Sequence, residues 1–131
     1  MTAFSNFLEN ELLDHVLRNE SYTAPTTTFI SLHTADPTDA GGSEVAASGY
    51  DRFEVSAALA WTTASGGSSK NNEAWEFVKA TTAWSTVTHV GVYDATTAGN
   101  LLFHGALTTA KVIGTDDIAR FPAGTLSIKL D

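Results

Sequence analysis

Four histidines, His15, His33, His89 and His104, are the side chains of this sequence best suited to proton transfer or metal binding. A helical zinc site places two histidines at i and i+4, as in HExxH, and no pair here has that spacing. His89 and His104 lie on two β-rich runs joined by a turn, so they could meet across a hairpin with Asp94 nearby. That is the one histidine arrangement with metal chemistry in it, although each residue is also an ordinary strand position. Asp36, Asp39 and Glu44 gather carboxylates in the stretch DPTDAGGSE. The composition suits calcium, but the D-x-[DN]-x-[DN]-G spacing is missing. Asp36 before Pro37 is more simply a turn initiator, and Gly41-Gly42 a flexible bend. No metal or other cofactor is expected.

Nucleophilic catalysis finds no support. There is no G-x-S-x-G elbow, and the run SGGSSK at 65–70 lacks the G-x-x-x-x-G-K-[ST] phosphate loop. Asp116 and Asp117 are adjacent, so in a strand they would face opposite sides, and solvation is their expected role. The absence of cysteine removes thiolate chemistry and disulfides together. With no nucleophile–base set, a non-enzymatic protein is expected.

Aromatic and charged side chains carry a different kind of chemistry, that of partner contacts. Trp75 and Phe77 alternate with Glu76 and read as core. Trp61 and Trp84 sit beside Thr and Ser in less regular segments and are candidates for an interface. Tyr50 and Arg52 mix an aromatic with a charge at the end of a long polar loop, as interface hot spots do. The candidate interface set is therefore Phe4, Phe7, Asp36, Asp39, Glu44, Tyr50, Arg52, Trp61 and Trp84.

These residues need elements to hold them. Residues 6–19 form the one clear helix: Leu8, Leu12 and Val16 recur once per turn, and Leu13 and Leu17 widen the stripe. Asn6 with Glu9 reads as a capping pair, and Phe4 and Phe7 make the start apolar. Such a helix is expected to lie across one face of a sheet. A strand over 26–33 leads into a loop over 34–49, long enough to be functional or interfacial. Another strand is expected near 52–57, and 65–70 reads as a flexible surface turn. Residues 73–79 alternate cleanly, and strands follow near 118–121 and 125–130. The stretch at 84–107, WSTVTHVGVYDATTAGNLLFHGAL, is a hairpin signal, with Thr88, Val90 and Val92 alternating against His89, Gly91 and Tyr93. About seven strands with regular turn signals predict a mostly β, single-domain antiparallel β-sandwich over 1–131 with one N-terminal α-helix.

Composition narrows the partners. The 131 residues are 43% hydrophobic and 17% charged, which suits a folded chain. Fifteen acidic against seven basic residues give a net charge of -8, which repels a phosphate backbone and anionic lipid. No apolar run approaches the roughly 20 residues a spanning helix needs. The start MTAFSNFLENELLDHV is acidic, unlike an export signal, so folding in a cytoplasm is expected.

The order of FSNFLENELLDH, LHTADPTD, the Gly-rich turn before Glu44, Gly49-Tyr50 with Arg52, the 84–107 hairpin and the closing FPAGTLSIKLD resembles a family of small tailed-bacteriophage proteins described as tail-fibre-like or minor virion proteins. The resemblance covers nearly the whole chain. It implies a virion component assembled in the bacterial host cytoplasm, tail-associated as fibre, tail-tip or baseplate part. Other virion proteins would be its partners, with homo-oligomeric assembly and a host-surface glycan as a further ligand. It carries over no catalytic residues. A fibre commonly has long repetitive shafts, and this chain has none. A capsid decoration or cement protein is therefore an alternative, and a carbohydrate-binding module using Trp61 or Trp84 is another.

Overall fold

A computed structural model describes residues 3–56 and 60–130. Its elements run β1 (Ala3–Phe4), α1 (Asn6–Leu17), β2 (Thr28–His33), β3 (Phe53–Val55), β4 (Ser68–Lys70), β5 (Trp75–Glu76), β6 (Ser85–Tyr93), β7 (Leu101–Ile113), β8 (Arg120–Phe121) and β9 (Ser127–Lys129). Among the described residues every strand pair is antiparallel. One sheet has the order β1-β7-β6-β2-β3, and two ribbons, β4-β9 and β5-β8, complete the strands. The mostly β architecture with one helix agrees with the sequence reading. The strands are more numerous than expected, in part because Gly66 and Gly67, at φ +57° and +72°, turn the chain back through a Ser65–Ser68 bridge and let β4 pair with β9, and β7 runs on to Ile113, past the expected hairpin end at Leu107. The stretch expected to be a flexible turn is therefore partly strand. The predicted strand at 52–57 appears as β3, and its end at residue 57 lies outside the described residues.

Alternation of side chains gives the main sheet two different faces. Ile30 pairs with Val92 and with Phe53, and Leu32 with Val90, so these apolar residues share one face. Trp75 stacks on Phe53 at 5.6 Å and Phe77 lies 5.8 Å from it, so β5 and its flanks cover that face as a second layer. The layers are those of a β-sandwich. Ser31, His33, Gly91 and Tyr93 point the other way, and the loop between β2 and β3 covers them. Gly91 is required here: a Cβ would stand 2.6 Å from the Ser31 hydroxyl and 2.9 Å from the His33 ring.

The helix begins one residue earlier in its capping than Asn6 suggests. Ser5 is the N-cap, its hydroxyl accepting from the Leu8 amide at 3.2 Å and donating to the Leu101 carbonyl. Asn6 and Glu9 do not form the expected pair: the buried Ser5 is held by β7 and so occupies the cap. The helix ends at Leu17 because Asn19 turns left-handed, at φ +57°, and the Glu20 amide reaches back to the Asp14 carbonyl. Its first half packs on β7 and buries Leu8, whereas its last turns overhang the sheet.

Candidate functional site

The densest polar arrangement lies where the loop after β2 closes over the sheet. Arg52, just before β3, points its guanidinium back across the loop with only 6% of its side chain exposed. Its Nε donates to Glu44 Oε1 at 2.8 Å and its Nη2 to Glu44 Oε2 at 2.7 Å, a bidentate pair. Its Nη1 donates to the Ala95 and Ala98 carbonyls, both at 2.8 Å, which ties the β6–β7 turn to the loop. The guanidinium carbon lies 3.6 Å from the Tyr93 ring centre. Tyr50 completes the clamp, accepting from the Leu32 amide at 2.9 Å and donating to Glu44 at 3.0 Å.

Burial alone would push the Glu44 carboxyl up, but the Arg52 hydrogen bonds and charge outweigh it and hold Glu44 below the ordinary carboxylate value. Burial first, and the Glu44 charge beside it, push the Tyr50 hydroxyl well above its ordinary range, so it stays protonated as a donor. Burial is also what raises Tyr93.

Behind this clamp sits His33, 0% exposed, its ring 6.3 Å from and nearly parallel to Tyr93. The Gly42 carbonyl can only accept, so Nδ1 carries the proton and donates to it at 2.7 Å; Nε2 then accepts from the Ser31 hydroxyl at 2.7 Å. Burial lowers the His33 pKa, which keeps the ring neutral. A serine beside a histidine resembles a nucleophile–base pair, but Ser31 and His33 are both fully buried and no substrate can reach them. Their role is to fasten Gly42, and with it the loop.

A second latch lies further along the loop. His104 Nε2 donates to Asp39 at 2.8 Å, with Asp36 3.6 Å from the other ring nitrogen, and the Asp39 carbonyl accepts from the Asn6 amide at 3.2 Å. The loop therefore touches the first residue of α1 as well as the sheet.

The structure sorts the sequence-derived candidates into three places. Glu44, Tyr50 and Arg52 come together in the clamp, and Asp36 with Asp39 at His104. The calcium arrangement is thus corrected: Glu44 is drawn to Arg52, away from the two aspartates. The histidine pair is corrected too, since β6 and β7 align Gly91 with His104 and His89 with Ala106. Asp94 instead caps the turn, accepting from the Asn100 amide at 2.7 Å. Among the described residues no group of three or more His, Cys, Asp or Glu could hold a metal ion.

Phe4 and Phe7 are half-buried, and Phe4 lies 5.4 Å from Phe103. Trp61 is half-buried, edge-on to Trp75 at 4.9 Å, with its indole N–H donated to Thr28 at 3.1 Å. Trp84 is 1% exposed and belongs to the core, where Tyr50 meets it edge-on at 5.2 Å. Its irregular surroundings in sequence hid this, because it precedes β6 and donates its amide to Ile113. His33, Ser31, Gly42 and Tyr93 were missed as site residues. The alternation in β2 gave no signal of it: Ser31 and His33 alternating with Ile30 and Leu32 is the pattern of a strand with one face in water, yet both polar side chains are fully buried.

The family model described as Podophage GP4 fiber I protein gp80 matches residues 3–129 of this chain. No curated protein matches it.

Proposed function

The chain belongs to the Podophage GP4 fiber I protein gp80 family, a phage structural protein family, and on that membership we propose that it is a tail-associated virion component, part of a fibre, tail tip or baseplate. The observation that carries this reading is the family match across nearly the whole described length. The protein works by contact, with its 131 residues acting as one folded unit. A stiff β-core presents the clamped loop and the helix, and repeated copies multiply weak contacts into avidity. Its partners are other virion proteins, and it reaches the particle from the host cytoplasm. The loop fits this role because Arg52 and His33 hold it in one shape before any partner arrives, which lowers the ordering cost of binding.

A carbohydrate module built on tryptophan is less well supported, since Trp84 is in the core and the Trp61 N–H is already donated to Thr28. Capsid decoration uses the same physics with a different partner. Quantitative mass spectrometry of purified particles separates the two. A copy number matched to the tail's symmetry supports the proposal, and one that scales with the head's surface overturns it in favour of decoration.

A further inference from the structure

The outer edge of β7 is open over much of its length. β1 pairs with β7 only at Phe103 and His104, and among the described residues no strand covers that edge from Leu107 to Val112. The same stretch is loose from β6 as well. Val87 pairs with Lys111 and His89 with Ala106, so Thr88 alone stands opposite the four residues 107–110. A bulge of this kind bends the strand and re-aims its side chains. Beside it, between β7 and β8, lies a cleft of about 320 Å³, lined by Leu32, Leu107, Ile113, Phe121 and the exposed Lys111 and Arg120 among others. None of the twelve residues lining the cleft is acidic, in a chain with 15 acidic and 7 basic residues. Arg120 shares its charge with Glu76 at 3.2 Å, whereas Lys111 has no ion pair among the described residues. The carboxylates at the two ends of the open stretch are engaged: Asp39 with His104, Asp116 with Lys79 at 3.3 Å, and Asp117 with the Gly114 amide at 2.7 Å.

We propose that this edge takes up an extended segment of another virion protein. The segment adds a strand to β7, sets an apolar side chain in the cleft and brings a carboxylate to Lys111. The main chain selects the form of this partner, because strand amides and carbonyls without a neighbouring strand are matched by another extended backbone. Alternation selects its side chains, since every second residue of an added strand faces the cleft. Charge selects the sign, because the cleft offers two cations and no carboxylate. A second copy fits poorly: two β7 edges would bring together two lysines and two bulges, on chains of net charge -8. The inference rests on the reading that the protein works by contact with other virion proteins.

The test follows the backbone amides of the isotope-labelled full chain by NMR. The probe is the acetylated and amidated peptide Glu-Val-Glu-Val-Glu-Val, with its Lys-Val counterpart and a backbone N-methylated form as controls. The acidic peptide is expected to shift the amide resonances of residues 107–112 and slow their hydrogen exchange. The N-methylated form, which cannot complete the ladder, leaves them unchanged, and so does the Lys-Val peptide. Lys111→Glu changes one exposed side chain and is expected to lose the response to the acidic peptide with an unchanged circular dichroism spectrum. No response at 107–112 to millimolar peptide, an equal response to either control, or protection that grows with protein concentration alone overturns the proposal, the last in favour of self-pairing. Immunoblotting of purified particles separates the two claims. A chain found in particles but silent to the peptide refutes this edge and spares the virion reading. A chain that binds the peptide but is absent from particles supports the edge and refutes the virion reading.

Discussion

Replacing Arg52 by alanine removes the centre of the clamp, and the structure sets the size of the effect. Four hydrogen bonds end on this guanidinium, two of them on the Glu44 carboxylate and two on the carbonyls of Ala95 and Ala98. Breaking a buried pair by deleting one partner costs about 3–5 kcal/mol, because the other charge is left without compensation. The Glu44 side chain is 24% exposed, so water recovers part of that cost, and about 3 kcal/mol is expected. For a chain of this length that corresponds to a fall in Tm of about 10 °C. Urea denaturation followed by circular dichroism measures it. Arg52→Lys keeps the charge but loses the two-pronged contact, and falls between the wild type and Arg52→Ala.

The pH dependence gives an independent check on the same pair. The folded Glu44 carboxyl titrates below its ordinary value of 4.5, so between the two values the unfolded chain binds more protons. Stability from the pair is therefore complete above about pH 4.5 and lost as pH falls through the folded value. The difference between wild type and Arg52→Ala shrinks over that range. A loss under about 1 kcal/mol at neutral pH, the size of a solvated surface pair, refutes the clamp.

Gly91→Ala places a methyl within 3 Å of Ser31 and His33 and is expected to cost about 2–3 kcal/mol by overpacking, read by thermal denaturation. Gly124→Ala meets no atom within 4 Å but sits at φ +75°, so its cost of about 1 kcal/mol comes from the backbone alone. Ser5→Ala removes the helix cap and the bond to Leu101, with an expected loss of about 1–2 kcal/mol in the same assay. His33 has a lowered pKa, so the unfolded chain takes up a proton near pH 6.5 before the folded one does. Stability therefore falls as pH drops below 6.5, and the His33 ring signals in NMR stay those of the neutral form past that point.

Local patterns carried much of the fold. The alternation in β6, the Thr/Gly/Asn turn before β7 and the row of Leu8 and Leu12 each depend on near neighbours, so the hairpin and the helix were legible in sequence. Trp75 and Phe77 read as core for the same reason. What escaped were contacts between distant segments. Ser5 was passed over as a cap because its bond to Leu101 joins residues far apart in the chain. Nothing local tells that Glu44 will turn to Arg52 while Asp36 and Asp39 turn to His104, since a loop's carboxylates are sorted by what the sheet presents beneath them. Trp84 was misplaced because burial at a strand's start depends on Tyr50 and Phe77, which arrive from other layers. The helix stripe was only half correct: periodicity showed Leu13, Val16 and Leu17 as apolar, but not that the sheet ends before it reaches them.

The central claim is that this protein is a part of the phage particle, carried on its tail. Immunogold electron microscopy of purified particles, with an antibody proven on the free protein, tests it most directly. Gold at the tail end is the expected result. Gold spread over the head, or none on intact particles, contradicts it.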